Sequence, residues 1–98
     1  MTLEEATSKI QELAKVKGGA LKSIVKFKFE DGVILLDDKQ SPTLVNNEDK
    51  AADCTIKMKL ANFEKLVAGK LNPMMAFMGG KMKIDGDMSV AMKLSSLF

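Results

Sequence analysis

Three short segments alternate lysine with apolar residues, and that alternation is the tightest constraint on the fold. Lys26 and Lys28 flank Phe27, Lys57 and Lys59 flank Met58, and Lys81 and Lys83 flank Met82. In a strand, successive side chains point to opposite faces, so each segment has one cationic and one apolar face. Strands of this kind sharing a sheet make one face wet and cationic and leave the other to be covered. The pattern predicts an antiparallel-rich sheet with helices on one side only, an α+β fold.

The segments between supply the remaining elements. Residues 2–17 keep helical spacing through Leu3, Ala6, Ile10, Leu13 and Ala14, with Thr2 and Glu5 at capping-box spacing and Gly18-Gly19 as the stop. Its charges are mixed in sign, which fits a surface helix covering a sheet and not a basic membrane-surface helix. Ala20 to Glu30 reads as a strand with Val25, Phe27 and Phe29 on one face, and Asp31-Gly32 signals a hairpin. The return strand Val33-Ile34-Leu35-Leu36 is apolar throughout, as if covered on both faces. Thr43 to Asn46 forms a short third strand. Asp37, Asp38, Glu48, Asp49 and Asp53 read as solvated turns, because no calcium-loop spacing joins them. In the fourth strand Cys54, Ile56 and Met58 point inward; Leu60, Phe63, Leu66 and Val67 then keep helical spacing.

From Gly69 to Leu94 the chain is rich in methionine, with six of the eight, and is cut by glycine and proline into short pieces. Asn72-Pro73 opens a short helix carrying Met74, Phe77 and Met78, and Gly79-Gly80 ends it. Lys81 to Asp85 is a strand with Met82 and Ile84 inward. Asp87 caps a last helix on which Met88, Ala91, Met92 and Ser95 form one stripe, with Val90, Leu94 and Leu97 beside it. Methionine is flexible and polarizable, so such a surface can repack around ligands of different shape.

The composition removes several function classes. The chain has 98 residues, which suits a single domain over 1–98. It contains no histidine, so no Ser–His or Cys–His nucleophile pair and no His-bearing zinc site can be built. Asp37 and Asp38 are adjacent, and in a strand they would point to opposite faces, so they make no acid–base pair. No catalytic residue, metal or cofactor is expected. All fifteen basic residues are lysine and the net charge is +2. Without arginine forks or stacking aromatics, nucleic acid is not an expected partner. The single Cys54 fits a reducing cytoplasm. The N-terminus shows no signal segment and Ser96-Leu97-Phe98 is not a Ser-Lys-Leu address, so a cytoplasmic location is expected.

Asp53-Cys54-Thr55-Ile56, Phe63, Leu66, Gly69-Lys70-Leu71-Asn72-Pro73, Ala76-Phe77, Gly80-Lys81-Met82-Lys83-Ile84, Gly86-Asp87-Met88 and Ala91-Met92-Lys93-Leu94 together resemble the sterol carrier protein type two family, the sterol-binding or sterol-transfer domain. The likeness spans the chain and is most specific in its second half. It implies a five-stranded, mostly antiparallel sheet covered on one face by helices, with an apolar tunnel between. It also implies non-catalytic binding, and transfer between membranes, of fatty acid, fatty acyl-CoA, phospholipid or sterol. Carried onto this chain, Met74, Phe77, Met78, Met88, Ala91 and Met92 would border the tunnel, and Phe27, Leu35, Ile56, Met58, Met82 and Ile84 would form its sheet floor. Some family members have glutamine where this chain has Met74 and Met92, which makes this tunnel more apolar. Lys59 replaces a small polar residue, so the Phe63 helix needs another cap. Two further readings stay open: transient contact of the lysine-rich face with an anionic membrane, against a merely solvated sheet face, and a protein-interaction module that uses the Met-rich face. The oligomeric state is not legible.

Overall fold

The computed structural model of the chain describes residues 1–93; the expected helical positions Leu94, Ser95 and Leu97 lie outside them. The elements follow as α1 (Leu3–Lys17), β1 (Ile24–Phe29), β2 (Gly32–Asp37), β3 (Leu44–Asn46), β4 (Cys54–Met58), α2 (Leu60–Val67), α3 (Pro73–Met78), β5 (Met82–Gly86) and α4 (Met88–Met92). The five strands form one sheet in the order β3-β2-β1-β4-β5. Three neighbouring pairs are antiparallel, and only β1 and β4 run parallel. The mostly antiparallel α+β expectation is met.

Register decides which side chains meet the helices. Val25, Phe27 and Phe29 of β1 face the same side as Ile34 and Leu36 of β2, Cys54, Ile56 and Met58 of β4, and Met82 and Ile84 of β5. On that side Ala6, Ile10 and Ala14 of α1 and Leu60, Phe63 and Leu66 of α2 complete a continuous apolar core. Phe63 packs edge-on against two β1 rings, with centroids 6.2 Å from Phe27 and 5.3 Å from Phe29. T-shaped pairs of this kind add about 1 kcal/mol beyond the area they bury.

Leu35 corrects one expectation. It pairs with Lys26 and Asn46, so it lies on the outer face, away from the helices. An unbroken apolar run carries no period-2 signal, and only pairing with β1 shows that Ile34 and Leu36 are the inner set. The hairpin loop also differs. Phe29 pairs with Gly32, so Glu30 and Asp31 form the two-residue connection. Glu30 has a use there: its Oε1 accepts from the Leu60 backbone N–H at 2.8 Å and caps α2, where Lys59 provides no side-chain cap.

Asp38 and Asp53 are not solvated turn residues. Asp38 is only 6% exposed. Its carboxylate accepts from the backbone N–H groups of Gly19, Leu21 and Lys22 at 2.7, 2.8 and 2.8 Å and from Thr43 Oγ1 at 2.6 Å. It thereby ties the α1–β1 loop to the β2–β3 turn. Asp53 Oδ2 accepts from the Ile24 N–H at 2.9 Å, while the Asp53 N–H donates to the Ile24 carbonyl and the Asp53 carbonyl accepts from the Asp87 N–H, both at 2.9 Å. This one residue extends the β1–β4 pairing and fixes the start of α4. Gly86 passes so close to it that an added Cβ would lie 2.5 Å from the Asp53 carbonyl oxygen, and its φ of +110° disfavours any side chain.

Two predictions follow from this stitching. Burial pushes the Asp38 carboxyl upward, but its bonds from Thr43 and the three amides outweigh this and hold its pKa below the ordinary value. A depressed folded-state pKa stabilises the fold above the ordinary carboxylate pKa, and the contribution is lost as pH falls through the folded value. Asp38→Ala is expected to cost about 3 kcal/mol in urea unfolding near neutral pH. The gap between variant and wild type should shrink below about pH 4. Gly86→Ala is expected to cost about 2 kcal/mol, read as a melting temperature lower by about 10 °C, with faster amide exchange in β5.

Candidate functional site

Among the described residues, the sheet end formed by β5 is covered less completely than the rest. Two short helices, α3 and α4, pack there. Asn72 Oδ1 caps α3 by accepting from the Met74 N–H at 2.8 Å, and Pro73 occupies the first turn. At its other end the Lys81 N–H donates to the Ala76 carbonyl and the Gly80 N–H to the Phe77 carbonyl, at 2.8 and 3.2 Å. That pair of bonds is a Schellman closure, which needs the left-handed φ of +78° found at Gly80. Asp87 caps α4, accepting from the Ser89 N–H and Oγ at 2.9 and 2.6 Å. Those bonds from Ser89 hold the Asp87 carboxyl below its ordinary pKa.

Between these helices and β5 lies an apolar cavity of about 100 Å³. Pro73, Met74 and Phe77 of α3 form one wall, Met82 and Ile84 of β5 the floor, and Met88, Ala91 and Met92 of α4 the other wall. Among the described residues no charged side chain lines it. Apolar surface with no hydrogen-bonding partner favours hydrocarbon over water or ions. Seven of the twelve residues singled out as tunnel lining are brought together here.

The other five lie elsewhere. Phe27 and Ile56 are fully buried in the main core. Met58 belongs to the same core and borders a different cleft. Leu35 lies on the outer face, as described above. Met78 departs most, at 80% exposed. At about 100° per residue, Ala76, Pro73, Phe77 and Met74 span one arc of about 160°, and Met78 falls beyond it. Ala76, the one buried residue of α3, sets that rotation. The four-residue spacing of Met74 and Met78 implied a shared face, but in so short a helix the single buried contact overrides the spacing. Pro73 was not foreseen as lining; its ring is apolar and sits on the inward arc, but as a helix-start signal it reads only as a cap.

A second cleft, of about 490 Å³, lies beside the first across β5. Its rim carries Lys28, Lys57, Lys59, Lys81 and Lys83 with a single acid, Glu30. Lys28 stands opposite Lys57, and Lys57 opposite Lys83. Among the described residues no helix is long and apolar enough to cross a membrane.

Known proteins agree with this architecture. The profile of the SCP-2 sterol transfer family matches residues 2–98. Sterol carrier protein 2 of Homo sapiens is 36% identical over 104 residues, which include 99% of this chain and 19% of that protein. The chain therefore spans about a fifth of the length of that relative. Among solved structures, the apo form of sterol carrier protein 2 from Yarrowia lipolytica superposes with a TM-score of 0.69 at 25% identity, covering 97% of this chain and 77% of that one. The sterol carrier protein domain 2 of Helicoverpa armigera gives 0.70 at 28% identity, covering 91% and 84%. By sequence along its whole length and by the arrangement of its sheet and helices, the chain belongs to the SCP-2 sterol transfer family.

Proposed function

We propose that the cavity between α3, α4 and β5 receives the hydrocarbon part of a lipid, and that the chain acts as a non-catalytic lipid-binding and transfer domain over residues 1–98. The observation that carries this reading is the lining, apolar at every described residue, contributed by three separate elements. Such a site recognises length and shape of hydrocarbon, not a specific polar group. Fatty acid, fatty acyl-CoA, phospholipid and sterol all meet that requirement.

The energetics allow it. Burying one CH₂ contributes about 0.8 kcal/mol, so a chain of ~14 carbons offers roughly 11 kcal/mol before costs. Micromolar affinity needs about 8 kcal/mol net. The remainder, about 3 kcal/mol, lies just below the ~4 kcal/mol lower end of association costs, so micromolar binding calls for chains longer than ~14 carbons. At about 100 Å³ the cavity is smaller than the roughly 300–1,000 Å³ of ordinary ligand sites, so binding requires α3 and α4 to move away from β5. Both helices are suited to that. α3 has one buried residue, Ala76, and α4 has two, Val90 and Ala91. Elements with few buried contacts open at low cost. The methionines on their inward faces can follow the ligand as it enters.

The test is extraction of the purified protein with organic solvent and mass spectrometry of what is released, together with displacement of a fluorescent fatty acid. Met88→Glu is expected to weaken fatty-acid binding at least tenfold, since a charge in the lining must be desolvated or displaced. Met78→Glu, outside the cavity, should leave solution binding within about twofold. No co-purified lipid together with no displacement of the probe would overturn the reading.

A further inference from the structure

Four of the eight described residues that line the apolar cavity are methionines, and recognition of hydrocarbon does not require sulfur. Leucine would present comparable apolar surface. Methionine adds two properties, a side chain that adapts to its contents and a thioether that can be oxidised. Oxidation to the sulfoxide turns a flexible apolar side chain into a polar one, and reductases reverse it. A thiol must lose its proton before it reacts; a thioether carries its lone pair at any pH. Access from solvent therefore decides which methionines react.

The structure sorts the methionines by that criterion. Met74, Met88 and Met92 line the cavity, yet they are 49%, 45% and 63% exposed. They stand on α3 and α4, the two short helices that form the walls. Met82, on the floor, is only 2% exposed, and Met58 is buried in the main core. Met75 and Met78 are exposed on α3 but lie outside the described lining. The one thiol does not compete. Cys54 is fully buried, and that burial pushes its pKa upward, away from the reactive thiolate.

The consequence follows from the lining. No side chain among its described residues can donate a hydrogen bond, so a sulfoxide oxygen turned inward finds no side-chain partner. A sulfoxide turned outward to water removes part of the wall from the hydrocarbon. Either placement weakens binding.

We infer that Met74, Met88 and Met92 form a modification site, at which oxidation by a peroxide releases the bound lipid and reduction of the sulfoxides restores binding. With hydrogen peroxide the sulfur lone pair attacks one oxygen. A sulfur–oxygen bond forms and the O–O bond breaks. The transferred oxygen gives its proton to the departing hydroxide, which leaves as water. Sulfur is oxidised by two electrons and the peroxide is reduced by two. In the reverse step two thiols are oxidised to a disulfide and the oxygen leaves as water. The inference rests on the lipid-binding reading of the cavity.

The test treats the purified protein with hydrogen peroxide, locates each sulfoxide by peptide mass spectrometry, and titrates a fluorescent fatty acid before and after. Met74, Met75, Met78, Met88 and Met92 are expected to oxidise while Met58 and Met82 are spared. Loading with unlabelled fatty acid beforehand should slow oxidation of Met74, Met88 and Met92 and leave the rates at Met75 and Met78 unchanged. After oxidation wild type should bind the probe about tenfold more weakly or worse. Methionine sulfoxide reductases for both epimers, with thiol, should restore binding. Met74→Leu with Met88→Leu and Met92→Leu removes the wall thioethers and keeps apolar volume, so its affinities before and after peroxide should agree within about twofold. Met75→Leu with Met78→Leu should still show the full loss. Melting temperature confirms that variants and oxidised protein are folded, and the protection pattern needs no variant. A probe that never binds the untreated protein overturns the lipid-binding reading and this inference together. Binding that survives full oxidation of the three wall methionines overturns this inference alone, as does equal protection of Met75 and Met78 by the fatty acid, a full loss in the Met74/Met88/Met92 variant, or a loss that melting traces to unfolding.

Discussion

Phe63 resting on Phe27 and Phe29 is the contact on which the rest of the structure depends. It anchors α2 to the central strand β1 and closes the middle of the inner sheet face. Without a helix there, the inner residues of β1, β2 and β4 would face water along a continuous apolar surface, which a domain of this size cannot afford. Polar groups then hold the frame around that contact. Glu30 reaches from the β1–β2 loop to start α2, Asp53 binds β1 to β4 and admits α4, and Asp38 gathers the loop after α1. Each is a carboxylate satisfying backbone N–H groups that would otherwise be left without partners.

The core so formed favours one end of the sheet. Among the described residues α1 packs on β2 and β3, α2 closes over β1 through Phe63, and the short helices α3 and α4 cover the edge strand β5, with α4 reaching β4 as well. Thin cover is what leaves room for a cavity. It also places thinly held elements next to that cavity and away from Phe63. Rigid frame and thinly held wall thus occupy different ends of one small fold, which is the arrangement the proposed function needs.

Strand alternation then gives β5 two chemistries within five residues. Met82 and Ile84 turn to the hydrocarbon cavity, while Lys83 and the neighbouring Lys81 turn to the cationic cleft. An edge strand is where an apolar interior and a charged surface come closest. In the centre of the sheet the neighbouring strands separate the two faces; at the edge the faces meet within the width of one strand.

The sequence by itself determined the period-2 strands, the capped helices and the one-sided sheet, because those depend on neighbours within a few residues. Asn72, Asp87 and Thr2 cap the helices whose starts they mark, and Lys26, Lys28, Lys57 and Lys83 lie on the outer sheet face. The family likeness was also legible there, in motifs of the second half. What depended on residues distant in the chain was not. The inner and outer sets of Val33–Leu36 waited on the register with β1, so Leu35 was placed on the wrong face. Asp38 looked like turn polarity until three amides from another loop converged on it. The rotation of α3 about Ala76 put Phe77 at the cavity and Met78 outside it, a choice that spacing in a six-residue helix cannot make. Only the tertiary structure joined Lys28, Lys57 and Lys83 into one row, because that row runs across strands, perpendicular to the chain. Local periodicity specifies each element's faces; pairing and packing decide which faces meet.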